Sequence, residues 1–128
     1  MESTIALTPI RVMIVDDSEA VREGLASILS ANADMTVVAM AVNGEQAVEG
    51  VAAHTPDVIL MDSQMPDMDG VEATRRIKEA SPGVKVLFLT VHPSHIPVGL
   101  AAGADAALLK DVGRHELLTA IRELAGAS

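Results

Sequence analysis

Residues 57–70 read DVILMDSQMPDMDG, and the point where this stretch changes character decides the fold. Val58–Met61 is an unbroken apolar run with Pro56 just ahead of it, the pattern of a short strand covered on both faces. At Asp62 the run gives way to Ser63, Pro66, Asp67 and Gly70, a loop rich in turn formers. Asp69 and Glu72 are then spaced as a capping box for a helix reaching about Ala80. A buried strand, a polar loop and a helix make one βα unit.

The unit repeats outward in both directions. Upstream, Ile10–Asp16 (IRVMIVD) is a β-branched strand, and Ser18 caps a helix to Ser30 with Val21, Leu25, Ile28 and Leu29 on one face. Met35–Ala41 is the second strand. Asn43, with Gln46 three residues on as capping-box partner, opens a helix that turns Ala47, Val48 and Val51 inward. Downstream, Ser81-Pro82-Gly83 stops the third helix and Lys85–Thr90 (KVLFLT) is the fourth strand. A short helix spans Ser94–Ala102, with Pro97 in its first turn and Gly103 closing it. Ala106–Leu109 is the fifth strand. Arg114–Ala125 is the last helix, with Leu117, Ile121 and Leu124 inward and Gly126 past its end. This alternation predicts an α/β fold, a doubly wound parallel sheet with helices on both faces. One domain over residues 10–126 follows a loose N-terminal tail, residues 1–9.

The 128 residues suit a single domain. The apolar fraction of 49% is almost all aliphatic, with Phe88 the one aromatic residue. A net charge of −9 excludes nucleic-acid binding by this surface, which would need clustered Lys and Arg. The absence of cysteine excludes disulfides and thiolate metal sites. No stretch nears the roughly 18 apolar residues of a membrane span, and Met1–Pro9 lacks the basic and apolar regions of a signal peptide, so the expected location is the cytoplasm.

In a doubly wound sheet, ligands sit beyond the carboxyl ends of the strands, and the polar residues there form a set. The first strand ends in Asp16-Asp17, the third in Asp62, the fourth in Thr90 and the fifth in Lys110. Converging carboxylates repel one another and resist ionising together. A hard cation such as Mg²⁺, held by carboxylates and waters, relieves that repulsion. Lys110 can pair with a carboxylate or with a phosphoryl group, and a threonine hydroxyl can donate to a phosphoryl oxygen. These are parts of a phosphoryl-transfer site with a carboxylate as an acceptable nucleophile. Singly each has an ordinary explanation: a helix cap for Asp16 or Asp17, a turn residue for Asp62, a strand residue for Thr90, a surface cation for Lys110. Their joint occurrence carries the reading.

The segments VDD (15–17), DVILMDSQMPDMDG (57–70), LT (89–90) and GADAALLKD (103–111) resemble those of response-regulator receiver domains over Ile10–Ala125, and Lys110-Asp111 resembles the NarL/LuxR-type subfamily. The resemblance implies a flavodoxin-like, CheY-like sheet in the order 2-1-3-4-5 with five helices. It implies Asp62 as phosphoacceptor, with Asp17, Asp62 and the backbone carbonyl of Gln64 on Mg²⁺ and Asp16 acting mainly through water. Thr90 and Lys110 would contact the phosphoryl oxygens. The donor would be a histidine kinase or phosphotransfer protein, and a homodimer would form through the last helix or the fourth-helix region. Regulators of this subfamily usually continue into a DNA-binding helix-turn-helix, and DNA would be the partner of that output domain.

Two departures stand out. The family often has Tyr or Phe three residues before the lysine, where this chain has Ala107, so the aromatic readout is missing. Val91 is bulkier than the frequent Ala or Gly and predicts a narrower approach to Asp62. Gln64 and His92 occupy positions that tune dephosphorylation in the family. The other histidines, His54, His95 and His115, share no spacing and read as surface residues; Asp67 and Asp69 read as loop and cap, and Met61, Met65 and Met68 as packing. Three alternatives compete. A degenerate receiver would bind partners without phosphorylation. A Mg²⁺-dependent phosphohydrolase is disfavoured because no Asp-x-Asp follows the first strand, and a flavin or dinucleotide module because no Gly-rich phosphate loop does.

Overall fold

The computed structural model describes residues 8–126; of the expected N-terminal tail, residues 1–7 lie outside the described residues. The elements alternate as β1 (Ile10–Val15), α1 (Glu19–Ser30), β2 (Met35–Ala41), α2 (Gly44–His54), β3 (Val58–Asp62), α3 (Gly70–Ala80), β4 (Lys85–Thr90), α4 (His95–Ala101), β5 (Ala106–Leu109) and α5 (Arg114–Gly126). The strands form one five-stranded sheet in the order β2-β1-β3-β4-β5, and every pairing is parallel. The doubly wound, CheY-like expectation holds. Among the described residues no helix is long and apolar enough to cross a membrane.

The central strands bury both faces because their side chains alternate between two apolar layers. Met13, Val15, Ile59, Met61, Val86 and Phe88 pack under α2 and α3 with Ala47, Val51, Ala73 and Ile77. Val12, Ile14, Val58, Leu60, Leu87 and Leu89 pack under α1 and α5 with Leu29, Leu117, Leu118 and Ile121. Helix α4 lies over Phe88, whose ring faces Gly99; a Cβ there would come within 2.6 Å of the ring.

The caps set the strand-to-helix turns. Ser18 Oγ accepts from Val21 N–H, Asn43 Oδ1 from Gln46 N–H and Asp69 Oδ1 from Glu72 N–H, each meeting an amide left open in the first turn. The return halves of the two expected capping boxes differ. Gln46 Oε1 accepts from Val42 N–H, one residue before the cap, while Glu72 pairs with Arg75 and Arg76 on its own helix.

Five boundaries move. Asp16 leaves β1, because its carboxylate turns back to accept from Ser18 N–H at 2.9 Å. Asp62 stays in β3, in register with Leu89 of β4. α4 is shorter than expected at both ends, and Ser94 makes no side-chain cap. Gly126 closes α5 within the helix and not beyond it.

Candidate functional site at the carboxyl edge of the sheet

Parallel pairing brings every strand's carboxyl end to one edge. There Asp16 follows β1, Asp62 ends β3, Thr90 ends β4 and Lys110 follows β5. Asp16 and Asp62 are buried, at 2% and 6% exposure, and Asp17 is exposed. Carboxylate oxygens of all three lie within 4.8 Å of one another. Lys110 Nζ bridges the two buried ones, donating to Asp16 Oδ2 at 2.6 Å and reaching Asp62 Oδ1 at 2.9 Å. The lysine is held in place by its own backbone, since Lys110 N–H donates to Thr90 O at 2.8 Å and continues the β4–β5 ladder.

Two buried carboxylates share one ammonium, with a third carboxylate nearby, and the acid–base properties follow. Burial pushes the Asp62 pKa above the usual carboxylate range; the Lys110 hydrogen bond pulls it back and the charge of Asp16 raises it again. Burial works against the Lys110 charge, but the hydrogen bonds it donates to Asp16 and Asp62 outweigh that and hold the ammonium above its usual range. The donor set is all oxygen, with more negative charge than Lys110 neutralises, and it fits a hard divalent cation.

Thr90 is fully buried and its hydroxyl is engaged: Oγ1 lies 2.8 Å from Ser63 Oγ and accepts from His92 N–H at 3.0 Å. Ser63 Oγ in turn lies 3.1 Å from His95 Nδ1. Gln64 and His92 meet through Oε1 and Nε2 at 3.0 Å, so the two positions singled out in the sequence form one contact. Val91 is 65% exposed and lines a small cleft with Leu109, Lys110 and Asp111, beside the lysine. Asp67 and Asp69 remain in the loop, Asp69 as the α3 cap. Gly70 is obligatory: a Cβ there would fall 1.8 Å from the carbonyl oxygen of Asp62.

Sequence reasoning missed Ser63 and His95. Ser63 had a usable signal, its place directly after the strand-ending carboxylate. His95 had none, since it meets Ser63 across 32 residues and is half-buried where a surface position was expected.

Fold and edge together define a receiver domain. The chain belongs to the response regulator receiver domain family, whose family model matches residues 12–122, and it is the receiver domain of a two-component response regulator. It is 41% identical over 117 residues to the response regulator protein VraR of Staphylococcus saprophyticus, covering 90% of this chain and 56% of that protein. It is 40% identical over 127 residues to the transcriptional regulatory protein DegU of Brevibacillus brevis, covering 98% and 54%. A LuxR-family two-component response regulator from Aurantimonas superposes with a TM-score of 0.87 at 31% identity, covering 92% of this chain and 86% of that one, in keeping with the finer resemblance. Among solved structures, the signal receiver domain of NarL from Mycobacterium tuberculosis superposes with a TM-score of 0.89 at 34% identity, covering 94% of this chain and 99% of that one. The chain thus spans about half the length of the curated relatives it matches.

Proposed function

We propose that this domain accepts a phosphoryl group on Asp62 from a histidine kinase or phosphotransfer protein and passes the change to a partner or output surface. The observation that carries the reading is Lys110 Nζ set between two buried carboxylates, 2.6 Å from Asp16 and 2.9 Å from Asp62. A lysine so held can leave one carboxylate for a phosphoryl oxygen without crossing solvent.

The residues divide the work. An Asp62 carboxylate oxygen attacks phosphorus. The P–N bond of the donor phosphohistidine breaks and its electron pair returns to the imidazole, leaving an acyl phosphate on Asp62. Lys110 moves its positive charge onto the new phosphoryl oxygens, and the Thr90 hydroxyl donates to them. Asp17, Asp62 and the Gln64 carbonyl would hold Mg²⁺, with Asp16 acting mainly through water. Mg²⁺ supplies, when bound, the charge neutralisation that lets an anionic nucleophile meet an anionic phosphoryl group. The sole covalent chemistry proposed is this self-catalysed phosphorylation and its reversal by water. DNA would be the partner of an output domain, not of this one. A cytoplasmic location fits such a donor.

The test is intact mass after incubation with phosphoramidate. The expected gain is one phosphoryl group with Mg²⁺ present, and none with chelator or in Asp62→Asn. No gain under any condition would overturn the reading and leave a receiver that binds partners without phosphorylation.

A further inference from the structure

The site does not end at Thr90. Ser63 and Thr90 are buried at 4% and 0% exposure, their hydroxyl oxygens are 2.8 Å apart, and Ser63 Oγ is 3.1 Å from Nδ1 of His95, the first residue of α4. The His92 and His95 rings lie 4.6 Å apart at a 45° tilt. Each hydroxyl carries a single proton, while a neutral imidazole presents one donor and one acceptor. A three-member chain of this kind therefore has a direction.

In one direction Thr90 donates to Ser63, Ser63 donates to His95, and Nδ1 is the acceptor. That direction leaves Thr90 no proton for Asp62. A phosphoryl group on Asp62, the reading this inference rests on, asks Thr90 for its proton. Ser63 must then give its own to Thr90, and Nδ1 of His95 must become the donor. Both bonds survive with their polarity reversed. Besides the contacts of Thr90 with the His92 backbone, an aromatic route toward α4 is absent. Ala107 carries no ring, and Phe88, opposite it in register, is pinned beneath Gly99 of α4.

We propose that His95 is a positioning residue for the phosphoacceptor site: as an Nδ1–H donor it fixes, through Ser63, the direction of the Thr90 proton and so couples the state of Asp62 to the first turn of α4. The side chain touches neither the phosphoryl group nor Asp62. It acts by setting which way two buried hydroxyls point.

The experiment measures phosphorylation of the full chain by phosphoramidate and Mg²⁺ in four variants. His95→Phe keeps the ring and removes Nδ1. Ser63→Ala breaks the chain one link earlier. His95→Asn places an amide N–H near the lost Nδ1, and the fourth variant combines His95→Phe with Ser63→Ala. Each of the first two is expected to slow phosphorylation about three- to tenfold, the size of one net hydrogen bond. The double variant should be no slower than the worse single one, and His95→Asn should recover most of the rate. Ring ¹⁵N spectra of the unmodified protein give a second readout that needs no variant to fold. With beryllofluoride and Mg²⁺ bound, His95 Nδ1 should carry the proton. An unprotonated Nδ1 in that state, additive losses in the double variant, or no recovery in His95→Asn would overturn the role of His95 while phosphorylation of the unmodified chain kept the phosphoacceptor reading. An unmodified chain that gains no phosphoryl group would overturn both.

Discussion

Asp62 is a carboxylate held where ionisation is disfavoured, and that has a measurable cost. Burial raises its pKa, Lys110 lowers it and Asp16 raises it, with the balance above the ordinary value. Between the unfolded-state value, roughly pH 4, and the raised folded value, the native state binds more protons than the unfolded one. Stability therefore falls as pH rises through that window and stays reduced above it. Replacing Asp62 with Asn removes the penalty and leaves Lys110 paired with Asp16 at 2.6 Å. In chelator, Asp62→Asn should melt at a higher temperature than the unmodified protein at pH 7, with the gap closing toward pH 4. A lower melting temperature at pH 7 would show that the Lys110–Asp62 pair outweighs burial.

Helix α3 carries a second unmet group, of a simpler kind. Thr74 is fully buried on the inward face beside Ala73 and Ile77, and its hydroxyl has no hydrogen-bond partner. Thr74→Val exchanges that hydroxyl for a methyl of the same shape, and should raise stability by about 1 kcal/mol, read as a higher urea midpoint at unchanged slope; a lower midpoint would mean the hydroxyl finds a partner in solution. Elements of this kind were largely legible in the sequence. Val58–Met61 and Lys85–Thr90 could only be buried strands, and Ser18, Asn43 and Asp69 announced their helices. What could not be read depended on side-chain direction. Asp16 leaves its strand to meet Ser18, and Gln46 reaches Val42 and not the cap itself. The five strand-end residues of the site were legible because parallel topology alone gathers them. The meeting of Ser63 with His95 was not, because it depends on how the β4–α4 turn lays α4 across the edge, and no spacing in the sequence encodes it.

The whole molecule is acidic, and three of its carboxylates meet at the one edge that every strand points toward. Mg²⁺ binding only to the folded state stabilises it by mass action, about 2.7 kcal/mol at a hundredfold excess over Kd. Thermal melts should therefore rise by several degrees with Mg²⁺. Asp17→Asn should abolish most of that rise and leave the metal-free melt nearly unchanged, because Asp17 is exposed and outside the Lys110 bridges. An equal rise in both proteins would assign the effect to general screening. Lys110 also reaches back 94 residues in sequence to Asp16, and this matters for a chain made from one end. Asp16 and Asp62 leave the ribosome first, and at roughly 5–20 residues per second several seconds pass before their counter-charge follows. During that interval a nascent chain holds Asp16 and Asp62 without the ammonium that bridges them in the folded domain, so the edge assembles only once the last strand is made.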